Sequence, residues 1–148
     1  MKQASEYPLK GSCNCGYVQY EVLEPFQFQI ACHCTQCQKH TQSAFSLIGG
    51  LSSKSFRLLS GQLKEWTKVA DSGNLGDCYF CPECGNRIYH VNPATPDALR
   101  LKLGTLENTD VIDPRIHIWV SKKQRWYQIP EGVRTFETQP DPKEFLRK

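Results

Sequence analysis

Apolar and polar residues alternate in short runs along most of this chain, the pattern of half-buried β-strands rather than of helices. Tyr17-Val18-Gln19-Tyr20-Glu21-Val22 alternates until Pro25 stops it, and Gln27-Phe28-Gln29-Ile30 alternates again. Together they read as a hairpin. Residues 44–48 form a following strand, with a break at Gly49-Gly50. Residues 54–61 read as a strand closing in a glycine turn, and residues 63–69 as another. A turn cluster occupies residues 71–77. Residues 87–91 and 99–103 are strand-like on either side of a proline-containing loop, and residues 115–120 follow Pro114 as a further strand. Residues 1–10 show no periodicity and read as a lead-in. Residues 38–43 suggest one short helical turn, and residues 143–148 a weak terminal helix. With no repeat and no linker, the pattern predicts a single domain over residues 1–148, mostly β with short helical pieces.

Composition agrees with this picture. The 148 residues are 39% hydrophobic and 22% charged, the balance of an ordinary globular domain. No apolar run approaches the roughly 20 residues that span a bilayer. Residues 1–8 lack the apolar core of a signal peptide. The expectation is a cytoplasmic protein with no membrane partner, whose thiols stay reduced. The formal net charge of +3 invites a nucleic-acid reading, but it counts every cysteine as a neutral thiol. Thiolates around two zinc ions would bring the total to about zero, which weighs against nucleic acid as a partner.

In a reducing compartment, eight clustered cysteines point to metal rather than to disulfides. Cys32, Cys34 and Cys37 fall within six residues, a density of soft donors that selects zinc, copper(I) or iron. Four protein ligands close a structural zinc site, whereas three leave a position for water or substrate. The triad is therefore either an open site or one closed by Cys78, His33 or His40. Cys13 and Cys15 stand in a C-x-C flanked by glycines, and Cys81-Pro82-Glu83-Cys84-Gly85 is a zinc-knuckle pattern. The two pairs can supply one four-sulfur site, for zinc or for an iron of rubredoxin type. Cys78, three residues before Cys81, belongs near that site or is a plain buried thiol. His33 can contact substrate; His90 and His117 read as structural. Trp66, Trp119, Trp126, Phe45, Phe56 and Phe80 read as core or pocket wall. Lys122-Lys123-Gln124-Arg125 reads as a solvated turn.

The ordered motifs G-S-C-x-C-G, C-H-C-x-x-C and S-G-x-x-x-x-x-x-F-C-x-x-C-G resemble the glutathione-dependent formaldehyde-activating (GFA) family, which includes CENP-V-like members. The resemblance runs from about Gly11 to Trp126 and takes in Phe45, Phe56, Gly61, Trp66, Pro114, His117 and Trp126. It implies an Mss4-like β fold of small antiparallel sheets stabilised by zinc. It also implies two zinc ions per chain, the second partly occupied: a structural one on Cys13, Cys15, Cys81 and Cys84, and a catalytic one on Cys32, Cys34 and Cys37. Gln38, Gln42 and Cys78 depart from the family pattern, where a basic residue, glycine and arginine are common.

The resemblance implies a zinc-dependent enzyme of carbon–sulfur lyase type. Its substrate would be a small-molecule thiol or thiol–aldehyde adduct, with glutathione plus formaldehyde as the namesake pair. The alternative is a non-catalytic two-zinc binding module for protein or nucleic acid. The two differ in whether the triad site keeps an exchangeable position.

Overall fold

The computed structural model describes residues 6–147 and is mostly β, as the alternation predicts. Eleven strands run in chain order: β1 (Leu9–Ser12), β2 (Gln19–Val22), β3 (Phe28–Cys32), β4 (Ser46–Ser52), β5 (Phe56–Ser60), β6 (Lys64–Val69), β7 (Leu75–Phe80), β8 (Arg87–Val91), β9 (Ala98–Lys102), β10 (Ile116–Ile118) and β11 (Arg134–Phe136). Two short α-helices, α1 (Thr35–Thr41) and α2 (Lys143–Leu146), complete the set with a few 3₁₀ turns. Among the described residues, no helix is long and apolar enough to cross a membrane.

Strands β1, β2 and β5 make a three-stranded antiparallel sheet. The other eight make a second sheet in the order β11-β10-β3-β4-β9-β8-β7-β6. This sheet is antiparallel except at one end, where β10 runs parallel to both β3 and β11. The expected hairpin of β2 and β3 does not form, because the two strands belong to different sheets. Between them the chain turns through Pro25, and β3 pairs forward with β4 instead, Ile30 opposite Ile48. Residues 9 and 10, read as lead-in, belong to β1, and β11 lies in a stretch for which the alternation predicts no element. Both are strands of only three or four residues, too short for alternation to mark without knowing the partner strand.

Gly49 and Gly50 do not break the chain but lie inside β4. A Cβ at Gly50 would come within 2.3 Å of the Phe28 ring, and one at Gly49 within 2.6 Å of the Phe26 ring. The glycines are there because aromatic rings lie flat on the strand, the close-approach use of glycine within a sheet. Two apolar clusters result. The larger packs Val18, Tyr20, Leu51, Ile88, Leu101 and Leu103 between the sheets. The smaller holds Phe28, Ile30, Ile48, Ile116, Ile118 and Phe145 together with the sulfurs of Cys32, Cys34 and Cys37.

Helix α1 begins and ends on side chains of its own segment. Cys34 is its N-cap, with Sγ accepting from the Cys37 N–H at 3.3 Å. At the other end Gln42 is left-handed, φ 48 and ψ 42, the conformation in which helices commonly stop on glycine. That conformation explains why this position favours glycine. Gln42 offsets the strain by donating from Nε2 to the carbonyls of Lys39 and His40.

Two stability measurements check this account. Gln42→Ala keeps the left-handed strain and loses the cap, so it is expected to lower unfolding free energy by about 1 kcal/mol, whereas Gln42→Gly is near neutral. Gly50→Ala is expected to cost about 1–3 kcal/mol through overlap with Phe28. Denaturant titration of the three variants reads both effects.

Candidate metal centres

The first cluster joins two distant segments. Cys13 and Cys15 follow β1, Cys81 and Cys84 follow β7, and all four sulfurs lie within 4.8 Å of one another. Cys13 to Cys15 is 3.5 Å and Cys15 to Cys81 is 3.8 Å. A tetrahedral zinc with bonds near 2.3 Å separates its sulfurs by roughly 3.8 Å, so the set fits one ion without rearrangement. Each pair sits on a tight turn closed by a glycine at positive φ, Gly16 and Gly85. The turns are tied to each other by the Asn14 N–H donating to Asn86 Oδ1. Backbone N–H groups also point at sulfur: Val18 N–H donates to Cys13 Sγ at 3.2 Å. The N–H groups of Asn86 and Cys15 lower the Cys84 thiol to about 6, so this sulfur is poised as a thiolate. Cys13 and Cys81 are buried while Cys15 and Cys84 are exposed, so the site is at the surface.

The second cluster is local. Cys32 ends β3, Cys34 caps α1 and Cys37 lies on its first turn, which turns three sulfurs toward one point within 4.8 Å. All three are buried. Without a cation they cannot be alike. S–H groups of Cys32 and Cys37 donate to Cys34 and hold its thiol far below the usual range. The same hydrogen bond, with burial and the neighbouring anion, pushes Cys32 far above it. A divalent ion would remove this conflict, which is the electrostatic case for a metal here. Among the described residues no further His, Cys, Asp or Glu joins the three sulfurs at that distance. Cys78, His33 and His40, the candidate fourth ligands, therefore all stand apart. Of the two readings of Cys78, the plain buried thiol is the one the structure supports, since its sulfur does not join the four-cysteine group. It is buried in β7 opposite His90, its thiol directed to the Gly76 carbonyl at 3.8 Å.

The triad opens on a pocket of about 190 Å³. It is lined by the apolar Ile30, Ile48, Ile118, Trp119 and Phe145 and by the cationic Lys68, Arg100 and Lys102, with His90 held neutral by burial. Burial lowers the Lys102 pKa while Cys37 pulls it up, and its Nζ reaches Ser46 Oγ at 3.4 Å. Trp119 is held left-handed, φ 58 and ψ 37, a rare conformation for a bulky residue. Its indole N–H donates to Gln139. Local sequence singled out neither lysine: each is a polar position in an alternating strand, brought to the triad only by strand order.

Two links hold the triad loop from behind. Gln38 Nε2 donates to the carbonyls of His33 at 2.8 Å and Lys122 at 2.9 Å, and its Oε1 accepts from Gln124. Here glutamine replaces a basic residue with a clamp between the loop and residues 122–124. His33 points away from the sulfurs into a box with His117, Phe45 and Tyr127. Its Nε2 lies 2.9 Å from His117 Nδ1, a contact that requires one bridging proton. Both rings are fully buried, so His33 and His117 are structural partners. Burial, then the His117 and Lys123 charges, lower the His33 pKa to about 4; burial lowers that of His117.

Both rings thus remain neutral in the folded protein while the unfolded chain takes up protons below about pH 6.5. Stability is expected to fall as pH drops from 6.5 toward 4. His117→Gln, which cannot titrate, is expected to flatten that slope in metal-loaded protein followed by urea unfolding at each pH.

Comparison with known proteins gives a consistent result. A family model described as "Glutathione-dependent formaldehyde-activating enzyme" matches residues 8–122. A Halomonas elongata protein named "Putative glutathione-dependent formaldehyde-activating enzyme" is 24% identical over 140 residues, covering 90% of this chain and 89% of that protein. The crystal structure of a Rhodobacter sphaeroides protein superposes with a TM-score of 0.54 at 23% identity, over 72% of this chain and 93% of that one, and so shares the fold. With more than half its length matched by the family model, the chain belongs to the glutathione-dependent formaldehyde-activating enzyme family.

Proposed function

We propose that this chain is a two-zinc enzyme of carbon–sulfur lyase type that acts on a small thiol adduct, with glutathione and formaldehyde as the first pair to test. The observation that carries the reading is the triad: three buried sulfurs at one point, no further His, Cys, Asp or Glu beside them among the described residues, and a small pocket lined by all three. Cys13, Cys15, Cys81 and Cys84 would hold a structural zinc, and Cys32, Cys34 and Cys37 the zinc at the reacting centre. The reading requires a reducing compartment such as the cytoplasm, and all eight cysteines are unpaired. The family name supports the substrate class.

In the synthetic direction the thiol sulfur forms a bond to the carbonyl carbon, the carbonyl π electrons move onto oxygen, and the proton lost by the thiol is taken up by that oxygen, so no net proton is released. Zinc, when bound by the triad, supplies an open position and lowers the pKa of an added thiol. The protein's own residues do the rest. Ile30, Ile48, Ile118 and Phe145 exclude water from the sulfur face. Lys68 and Lys102 line the same pocket and would set positive charge beside the carbonyl oxygen as negative charge develops on it. Gln38 and the His33–His117 pair hold the loop so that the sulfurs keep their spacing.

The test is metal content with X-ray absorption at the zinc edge, paired with adduct formation followed by NMR. Two zincs per chain at about 3.5 sulfurs each are expected, rising to about 4 when glutathione is added. Cys32→Ser is expected to lower the rate at least tenfold with little effect on melting, whereas Cys84→Ser lowers the melting temperature. Two zincs already at four protein ligands and indifferent to thiols would sink the enzyme reading and leave a binding module.

A further inference from the structure

A second, wider cleft of about 1080 Å³ shares Lys68 and Lys102 with the triad pocket but contains none of the triad sulfurs. Helix α1 forms one side through Gln36 and His40; β6 and β8 form the other through Trp66 and Arg87. Four buried side-chain polar atoms have no hydrogen-bond partner among the described residues, and three of them belong to this cleft: Gln36 Oε1, His40 Nε2 and Arg87 Nη1. Buried polar groups are nearly always paired, so three on one cleft is an unmet demand with a location.

What covers two of them is Trp66. Its ring lies 5.4 Å from the Arg87 guanidinium and meets the His40 ring edge-on at 6.4 Å. The Phe80 ring also lies 5.1 Å from the Arg87 guanidinium, and no carboxylate pairs with this arginine among the described residues. Trp66 is itself half exposed, and it stands on β6, the outer strand of the large sheet. An indole that shields a guanidinium from water, on an edge strand with solvent on its outer side, is a cover that a ligand can displace.

We propose that Trp66 is such a cover, and that the wide cleft seats the non-reacting body of the thiol substrate, with Arg87 taking a carboxylate of that body. The inference rests on the thiol-adduct reading and names the group that selects the thiol. A guanidinium presents a planar fork that matches a carboxylate in two hydrogen bonds. Gln36 Oε1 is an acceptor, so the ligand must also bring an N–H donor. Carboxylate and N–H together describe a peptide-like thiol rather than a simple alkyl one. The displaced indole then has a planar amide to lie against. Lys68 and Lys102, flexible side chains common to both cavities, border the route from the cleft to the sulfurs.

The test uses S-methylglutathione, whose thioether has no thiol to offer the triad, against the zinc-loaded protein labelled with 5-fluorotryptophan. The chain has 3 tryptophans, and the signal lost in Trp66→Phe assigns the relevant resonance. Saturable binding that shifts the Trp66 signal is expected, weakened at least tenfold in Arg87→Gln and only in part restored by Arg87→Lys. On the wild-type protein, where folding is not in question, the same probe with both carboxylates esterified is expected to bind at least tenfold more weakly. No saturable binding, an unmoved Trp66 signal, or equal affinity for acid and ester would overturn the proposal. Because the probe carries no thiol, such a failure leaves the zinc sulfur count to judge the triad separately.

Discussion

Sulfur crowding is the constraint on which the rest of this structure depends. Seven cysteines are gathered into two groups whose sulfurs lie within 4.8 Å, and closely packed thiols cannot all ionise without a cation. The four-sulfur group ties the start of the chain to its middle, the end of β1 to the end of β7, across the join between the two sheets. Binding energies of roughly 10–16 kcal/mol for structural zinc would make such a crosslink comparable to the whole stability of a domain. The three-sulfur group does something different. It is made by one loop, held in a buried position by packing around it.

That packing is where the fold serves the site. The parallel pairing of β10 with β3 sets Ile118 beside Cys32 and lets the Ile118 carbonyl receive the His33 N–H at 3.0 Å. His117, next on β10, then meets His33 behind the loop. On the opposite side β9 pairs with β4, placing Lys102 across from Ile48 and at the edge of the triad pocket. One loop thus has a neutral, hydrogen-bonded back and a cationic front. This division keeps the groups that anchor the loop separate from the cations that line the triad pocket.

The family's departures acquire physical meaning in this setting. Gln42 occupies a left-handed helix end and repairs it with its own amide. Gln38 gives up a positive charge and gains three hydrogen bonds, one to His33 within the loop and two to the segment after β10. Cys78 is a buried strand residue away from both sulfur groups. None of the three removes a sulfur from either centre.

Much of this was legible locally, because the features involved are local in origin. Alternation marked most strands, since a half-buried strand repeats every two residues whatever its partner is. The C-x-C, C-x-x-C and C-H-C-x-x-C spacings revealed both sulfur groups, since the turns that converge the thiols are only a few residues long. Gly49-Gly50 was misleading for the opposite reason: the rings that demand glycine there come from Phe26 and Phe28, more than twenty residues earlier. The separation of β2 from β3, the parallel β10, the His33–His117 contact and the approach of Lys102 and Arg87 to the helix all depend on strand order. Composition and spacing by themselves determined a β protein with two clusters of soft ligands. Only the tertiary structure decided that, among the described residues, no further His, Cys, Asp or Glu joins the three sulfurs, and which cations line their pocket, because those distances are set by pairings between segments far apart in the chain.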